Sequence, residues 1–175
     1  MEIRILQPAE AEALFTLRRQ ALEDAPLAFA ASPEDDHAAP PDTVRQMLGR
    51  GPDSSVVFGA IDGSLIGMLG LYREPKRKMA HKVHFWGMYV RPEDRGRGVA
   101  RALMTAALAH ARTLKGVTQV QISATDDRGA ASRLYEEFGF RVWGTEPDAI
   151  RHGGRGVSTL HMALSLNDGA APPSG

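Results

Sequence analysis

At 175 residues, of which 43% are apolar and 24% charged, the chain has the size and composition of about one globular domain. Its 21 Lys and Arg residues balance its 21 Asp and Glu residues, so no overall positive field draws it to nucleic acid or to a membrane surface. The absence of cysteine excludes disulfides, thiolate metal sites and a cysteine nucleophile, and it fits a reducing compartment.

Neither a signal peptide nor a membrane span is predicted. The N-terminal run Met1–Leu6 carries charge inside its apolar residues, and no apolar stretch approaches the roughly 20 residues that cross a bilayer. We therefore expect a cytoplasmic protein with no membrane and no nucleic-acid partner. Residues 1–166 are expected to form one domain, and 167–175, rich in Ala, Pro and Gly, a disordered tail.

Apolar periodicity predicts an order of β-α-α-β-β-β-α-β-α-β-β. The predicted strands cover 3–6, 54–61, 65–72, 82–90, 117–124, 140–144 and 157–166; the predicted helices begin at 8, near 43, at 99 and at 131. Asp62-Gly63 predicts a hairpin turn, and an irregular Pro- and Gly-containing section is expected between the last two strands. The pattern indicates an α/β chain with a mixed sheet, in which the strand–helix–strand unit near residue 100 pairs in parallel.

The segment Val90–Met104 carries the strongest functional signal. A β-branched and aromatic run stops at Pro92, a short loop with two glycines follows, and a strongly periodic helix begins. The free amides at a helix start, reached through a loop that lacks Cβ bulk, favour a phosphate or pyrophosphate. Arg95, Arg97 and Arg101 add positive charge to the same turn, so the segment predicts a phosphorylated ligand.

Three kinds of phosphate-binding loop could account for this segment. A P-loop requires Gly-Lys-Ser/Thr, and that tripeptide does not occur in the chain. A dinucleotide fingerprint requires a third small residue where Arg101 stands, and it normally follows the first strand of its unit. The frame Arg95-x-x-Gly98-x-Ala100 is the third alternative.

That frame resembles a motif of the Gcn5-related N-acetyltransferase (GNAT) superfamily. Residues 95–100 match its Arg/Gln-x-x-Gly-x-Gly/Ala pattern, after a strand that ends in Tyr89-Val90-Arg91-Pro92. Some thirty residues on, 131–140 resemble the second motif, Ala-x-x-Leu-Tyr-x-x-x-Gly-Phe. The resemblance implies a GNAT-like fold: a mostly antiparallel sheet of six to seven strands, splayed between the fourth and fifth, with about four helices.

The resemblance implies acetyl-coenzyme A as donor, a small-molecule amine or peptide as acceptor, direct transfer between them, and no metal. Backbone amides would hold the pyrophosphate, and the end of the fourth strand would pair with the pantetheine arm. The implied cofactor-binding residues are Met88, Tyr89, Val90, Arg95, Gly96, Arg97, Gly98, Val99, Ala100, Arg101 and Tyr135. A non-catalytic acyl-coenzyme A-binding regulatory module is the alternative function, and a homodimer stays open.

Three residues are candidates for the chemistry. Tyr135 matches the tyrosine that protonates the leaving thiolate in many relatives, although its spacing also fits a core aromatic. His84 lies near the position of the glutamate base in relatives, and strand alternation predicts that it shares a face with Trp86, Met88 and Val90. His81 and His161 are less well placed to act as the base. The backbone amide near Met88 is expected to meet the developing oxyanion.

The acceptor is not defined by the sequence. An acceptor pocket is expected between the N-terminal helices and the late strands. The residues that could line it are Phe29, Trp86, Trp143, Glu34, Asp35, Asp36, Glu146 and Asp148. Arg128 stands where the second motif commonly has asparagine, so the asparagine's role is not carried over. The basic run 73–78 lies between two strands, where a solvated turn is favoured over a nucleic-acid site.

Overall fold

Seven strands form one sheet in the computed structural model, which describes residues 1–36, 40–126 and 129–167. The strands, in chain order, are β1 (Glu2–Ile5), β2 (Ser55–Asp62), β3 (Ser64–Arg73), β4 (Lys82–Val90), β5 (Gln119–Thr125), β6 (Arg141–His152) and β7 (Arg155–Ser165). Four helices join them: α1 (Ala11–Asp24), α2 (Pro41–Leu48), α3 (Val99–Thr113) and α4 (Ala130–Glu137). The predicted order of elements is confirmed.

The sheet has the order β1-β2-β3-β4-β5-β7-β6, and every neighbouring pair is antiparallel except β4 and β5. The parallel pair is short, with register from Lys82↔Gln119 to His84↔Gln121. Beyond His84 the two strands separate, which confirms the splay expected between the fourth and fifth strands. The far half of β4 therefore has an unpaired edge that faces β5.

Apolar side chains form two separate cores, one on each face of the sheet. Leu103, Met104 and Ala107 of α3 are fully buried in one core, together with inward residues of β2–β5. Leu14 and Leu17 of α1 are fully buried in a second core on the opposite face, which α2 also covers. Each helix contributes one apolar stripe, so burial of the two stripes fixes which sheet face each helix covers.

A bulge interrupts the alternation of β4, and one prediction about that strand is wrong. Gly87 has a φ of 66°, and the β3–β4 register shifts beside it. Trp86 packs against the core under α1, but Met88 and Val90 pack against the core under α3. The extra residue moves every later side chain to the other face. His84 and Trp86 therefore do not share a face with Met88 and Val90.

The end of the chain is more regular than predicted. The Pro- and Gly-containing section is part of a long hairpin, in which β6 extends to His152 and turns through Gly153 and Gly154. A register shift between Glu146 and Ile150 accommodates Pro147. Residues 168–175, most of the predicted tail, lie outside the described residues. None of the helices in the described ranges has the length and apolar character needed to cross a membrane.

Candidate active site

Two adjoining cavities open where β4 and β5 separate. The first, the loop cavity, has a volume of about 430 Å³ and lies between the end of β4 and the start of α3. It is lined by most of the predicted cofactor-binding residues, namely Met88, Tyr89, Val90, Arg95, Gly96, Gly98, Val99, Ala100 and Arg101. The segment that the motif singled out thus forms one concave surface.

The loop before α3 can bind an anion through its backbone. Gly96 and Gly98 have φ values of 75° and 80°, a conformation that side chains with a Cβ rarely adopt. Apart from each glycine's own two chain neighbours, no described residue has an atom within 4 Å of the position that a Cβ would take there. Gly98 is also the N-cap of α3, and no side chain caps the helix there. Free amides at the start of a long helix, beside open space, fit a pyrophosphate.

The three arginines of the loop have different environments. Arg95 lines the loop cavity, donates from Nε to the Val90 carbonyl at 3.0 Å, and lies over the Tyr89 ring at 5.8 Å. Arg101 also lines the cavity and pairs with Glu137.

The side chain of Arg97 is directed elsewhere. It pairs with Asp94 and with Asp62, whose carboxylate lies 2.6 Å away, and Arg97 is not among the residues that line the loop cavity. Its guanidinium therefore links the loop before α3 to the β2–β3 turn through these ion pairs.

The second cavity, the cleft cavity, occupies the gap between β4 and β5. Its volume is about 150 Å³. Residues 85–88 of β4 and 122–125 of β5 form its walls, and Phe29 and Tyr135 close its ends. The loop cavity and the cleft cavity adjoin, because five residues line both: Ala28, Phe29, Met88, Ala130 and Ala131.

Tyr135 is buried at the wall of the cleft cavity. Its exposed fraction is 3%, and its ring packs at 6.2 Å from that of Phe140. Burial raises the pKa of the Tyr135 hydroxyl above its ordinary value, so the group is protonated at neutral pH. No group in the described part of the chain forms a hydrogen bond with this hydroxyl, which leaves its proton available to a ligand in the cleft.

His84 lies away from both cavities. Its Nε2 is 2.9 Å from Oε1 of Glu74, although the two groups are not aligned for a regular hydrogen bond, and its ring stacks on Tyr72 at 4.8 Å. Burial lowers the pKa of His84, and the Glu74 carboxylate opposes that shift only in part. The ring is therefore neutral near pH 7, but His84 is not among the residues that line the loop or cleft cavity.

A hydrogen-bonded group lies on the other side of the cleft. The sequence named Glu146 and Trp143 only as possible acceptor residues and ranked His161 below His84 as a base, and it did not indicate Ser123. Ser123 lines the cleft cavity, and its Oγ is 3.1 Å from Nδ1 of His161 on β7. Nε2 of His161 is 3.2 Å from Oε2 of Glu146 on β6. The indole of Trp143 lies beside the His161 ring at 5.4 Å.

The predicted acceptor residues are divided among several places. Phe29 and Trp86 line the cleft cavity, and the guanidinium of Arg18 lies over the Trp86 ring at 5.3 Å. Arg18 is held in turn by Asp36, with N–O distances of 2.5 and 2.7 Å.

The remaining predicted acceptor residues lie outside the cleft. Glu34 and Asp35 line a third cavity of about 470 Å³ next to Phe29, and Asp148 pairs with Arg151. Trp143 is 61% exposed beside His161. Arg128 lies outside the described residues.

Solved acetyltransferases share this architecture. A GNAT-family acetyltransferase of Streptococcus pneumoniae superposes with a TM-score of 0.84 over 95% of this chain and 99% of its own, at 16% identity. The yncA protein of Salmonella typhimurium, solved with its cofactor acetyl-CoA, gives 0.81 over 100% and 99% at 22% identity. A GCN5-related N-acetyltransferase of Kribbella flavida gives 0.79 over 94% and 97% at 28% identity.

The sequence pattern of the Acetyltransferase (GNAT) family matches residues 14–140, and the chain belongs to that family. Two curated relatives are informative. The mycothiol acetyltransferase of Thermobispora bispora is 48% identical over 54 residues, which are 31% of this chain but only 18% of that protein. The L-amino acid N-acetyltransferase AaaT of Escherichia coli (strain K12) is 25% identical over 119 residues, which are 68% of this chain and 73% of that protein.

Proposed function

We propose that the protein transfers an acetyl group from acetyl-CoA to a primary amine of a small molecule or of a peptide N-terminus. One observation carries the proposal: the loop cavity and the cleft cavity meet at Met88, with free helix-start amides in the first and Tyr135 in the second. A candidate anion site and a candidate proton donor thus lie in two adjoining cavities. Acetyl-CoA, which supplies the thioester, has the anionic and acyl groups that these cavities would take.

The donor would be held mainly by backbone. The start of α3, from Arg95 to Arg101, offers amides to the pyrophosphate, and the open edge of β4 offers main-chain groups to the pantetheine arm. Because Arg95 donates to the Val90 carbonyl, that oxygen is already engaged, and the free polar groups of the edge lie nearer Met88. The cofactor bound to the yncA protein of the same fold supports this assignment.

Each step of acyl transfer then has a candidate group. The Met88 amide, on the unpaired edge beyond the bulge, would stabilise the developing oxyanion. Tyr135 would give its proton to the departing thiolate. The proposed transfer needs no covalent enzyme intermediate. Acetyl-CoA and the amine would therefore be bound at the same time. His84 is the base that the sequence pattern predicts. Its neutral ring could accept a proton, which supports that role. Its position outside both cavities argues against it.

The acceptor is best sought among small amines. AaaT acts on L-amino acids according to its name, and its match extends over most of this chain. The mycothiol acetyltransferase matches only one stretch of this chain, so it bears less on the acceptor. We propose amino acids and their amides as the first acceptors to try. We also propose a cytoplasmic location, and light scattering would decide whether the protein is a homodimer.

Isothermal titration with acetyl-CoA, followed by coenzyme A release on addition of amines, tests this function. We expect binding in a 1:1 complex and release that depends on the amine. Gly98→Ala should weaken acetyl-CoA binding about tenfold, because a Cβ residue at positive φ costs roughly 1–2 kcal/mol and shifts the binding loop. Gly154→Ala is the matched control, since Gly154 has a φ of 78° in the β6–β7 turn and does not line the loop cavity.

The same titration separates the alternative function. Acetyl-CoA binding without coenzyme A release, for any amine, would instead support the non-catalytic regulatory module. Equal affinities of the Gly98→Ala and Gly154→Ala variants would show that the loop does not hold the donor.

A further inference from the structure

Two faces of the sheet contribute to the cleft cavity. Val120, Ile122 and Ala124 of β5 are buried in the core under α3, so the intervening Ser123 points to the opposite face. Tyr135 belongs to the core under α3. Both Ser123 and Tyr135 nevertheless line the cleft cavity. A ligand in the cleft would therefore have one hydroxyl group on each side.

The hydroxyl of Ser123 is connected to a carboxylate through an imidazole. A single tautomer of His161 satisfies both of its contacts: Nε2–H donates to Glu146 over 3.2 Å, and Nδ1 accepts from the Ser123 hydroxyl over 3.1 Å. This tautomer leaves a basic nitrogen facing the cleft hydroxyl. The His161 side chain is 31% exposed, so a proton that it takes up can pass to solvent.

The cleft cavity needs such a group for the proposed reaction. An acceptor amine is mostly protonated near neutral pH and must lose a proton before it can attack. Among the described residues that line the cleft cavity there is no carboxylate and no histidine, and the hydroxyls belong to Ser123, Thr125 and Tyr135. Thr125 donates to the Leu27 carbonyl at 2.8 Å. Ser123 is thus the hydroxyl that both faces the cleft and leads to a base.

We propose that Ser123, His161 and Glu146 form the proton relay that deprotonates the acceptor amine. This inference rests on the proposed acetyltransferase function. The ammonium gives one proton to Ser123 Oγ while the hydroxyl proton moves to Nδ1 of His161, and the Glu146 carboxylate stabilises the imidazolium. The neutral amine then attacks, and Tyr135 gives its proton to the departing thiolate. The nitrogen loses its second proton, which replaces the proton on Tyr135. The products are the amide, coenzyme A and one proton released by His161.

Ser123 is the catalytic residue of this relay, and His161 and Glu146 act through it. The same arrangement resembles that of a serine nucleophile, which would form an acetyl-serine intermediate. In the relay the Ser123 oxygen carries only protons, so the protein's mass does not change during turnover. Intact mass spectrometry after mixing with acetyl-CoA alone distinguishes the two mechanisms.

The test compares Ser123→Ala and His161→Gln with the wild type on two acceptors of the same size, a strongly basic alkylamine and a weakly basic alkoxyamine. The relay predicts that kcat/KM for the alkylamine falls about 100-fold at neutral pH in both variants. For the alkoxyamine, which is already neutral, it should fall by less than about threefold. Ser165→Ala is the matched control, because Ser165 lies at the exposed end of β7.

Two further measurements distinguish loss of the relay from a change in donor binding or in stability. The calorimetric affinity for acetyl-CoA and the thermal midpoint should be unchanged in both variants, since the relay touches neither the loop cavity nor the cores. An equal loss for both amines, full activity, or an acetyl group on Ser123 would each overturn the relay.

His84→Gln tests the competing base. If this variant, and not His161→Gln, loses activity on the alkylamine alone, the relay is wrong and His84 is the base. If the wild type binds acetyl-CoA but acetylates no amine, the proposed function fails, and the relay fails with it.

Discussion

The hydroxyl of Tyr135 and the hydroxyl of Ser123 have different surroundings, and these suit opposite tasks. Tyr135 is buried in the core under α3, where burial raises its pKa and keeps its proton in place. Ser123 is exposed on the other face and hydrogen-bonded to an imidazole. The first can donate to a leaving group, and the second can accept from an ammonium. The environment of each residue supports the proposed assignment of acid and base.

Tyr135→Phe tests the acid role directly. We expect kcat to fall about 100-fold with little change in acetyl-CoA affinity, because the variant removes only the hydroxyl proton and keeps the ring packed on Phe140. Steady-state coenzyme A release measures the effect. Tyr72→Phe is the control, since Tyr72 lies outside both cavities. A wild-type kcat for Tyr135→Phe would assign Tyr135 to packing alone.

How well a residue can be predicted depends on whether its partners are close in sequence. The loop cavity and Tyr135 were predictable, because each lies in a continuous motif with a local backbone requirement. The relay was not, because Ser123 and His161 are 38 residues apart and meet only through the β5–β7 register. For His84, alternation gave the wrong neighbours, since the effect of Gly87 on β4 depends on its pairing with β3.

Among the elements, β4 determines the geometry of the site. Its first residues pair with β5, and its bulge turns Met88 and Val90 to the α3 side while Trp86 stays on the α1 side. Trp86 lies flat against Gly70 of β3, where a Cβ would come within 2.0 Å of the indole. A smaller neighbour on β3 therefore allows a large aromatic ring at the wall of the cleft.

The connection from β1 to α1 is fixed by one carboxylate. Glu10 accepts two hydrogen bonds from Arg4, both at 2.7 Å, and one from the backbone N–H of Gln7 at 2.8 Å. The bonds to Arg4 are the main reason that the pKa of Glu10 is lowered from its ordinary value of 4.5. A carboxylate with a lowered pKa stabilises the folded state above its ordinary pKa, and this contribution is lost as the pH falls through the folded value.

Glu10→Gln should therefore destabilise the protein in a pH-dependent way. We expect a loss of about 1 kcal/mol in the free energy of unfolding at pH 7, after allowance for partial solvent screening, and a difference that shrinks below about pH 4. Urea unfolding at several pH values measures it. Glu12→Gln, on the exposed side of α1, should change stability by less than about 0.5 kcal/mol throughout. A difference that is constant with pH would exclude the charge of Glu10 as the cause.

At the scale of the whole molecule, the seven strands form one sheet, which opens where β4 and β5 separate. Helices cover both faces from β1 to β4, and two adjoining cavities lie where β4 separates from β5, one at the start of α3 and one lined by Ser123. The donor would enter from the α3 side and the acceptor from the other. This arrangement predicts a complex that holds both substrates at once.

The element order and the fold class were predictable because they depend on periodicity and on a family-wide pattern. The length of the β6–β7 hairpin was not, since Pro147 and the paired glycines are typical of irregular chain. A register shift accommodates them within regular pairing. The proposed acceptor site would combine side chains from the segment before α2 and from β4, β5 and β7, so no single stretch of sequence would define it.

Transfer of a labelled acetyl group in a single turnover tests the central claim most directly. The enzyme, in excess over [14C]acetyl-CoA, is mixed with an amino acid or amine acceptor, quenched at intervals, and the label in thioester, protein and amide is counted. Direct transfer predicts that label passes from thioester to amide only when the amine is present, with none bound to protein. Label that accumulates on the protein, or that stays in the thioester with every amine, would contradict it.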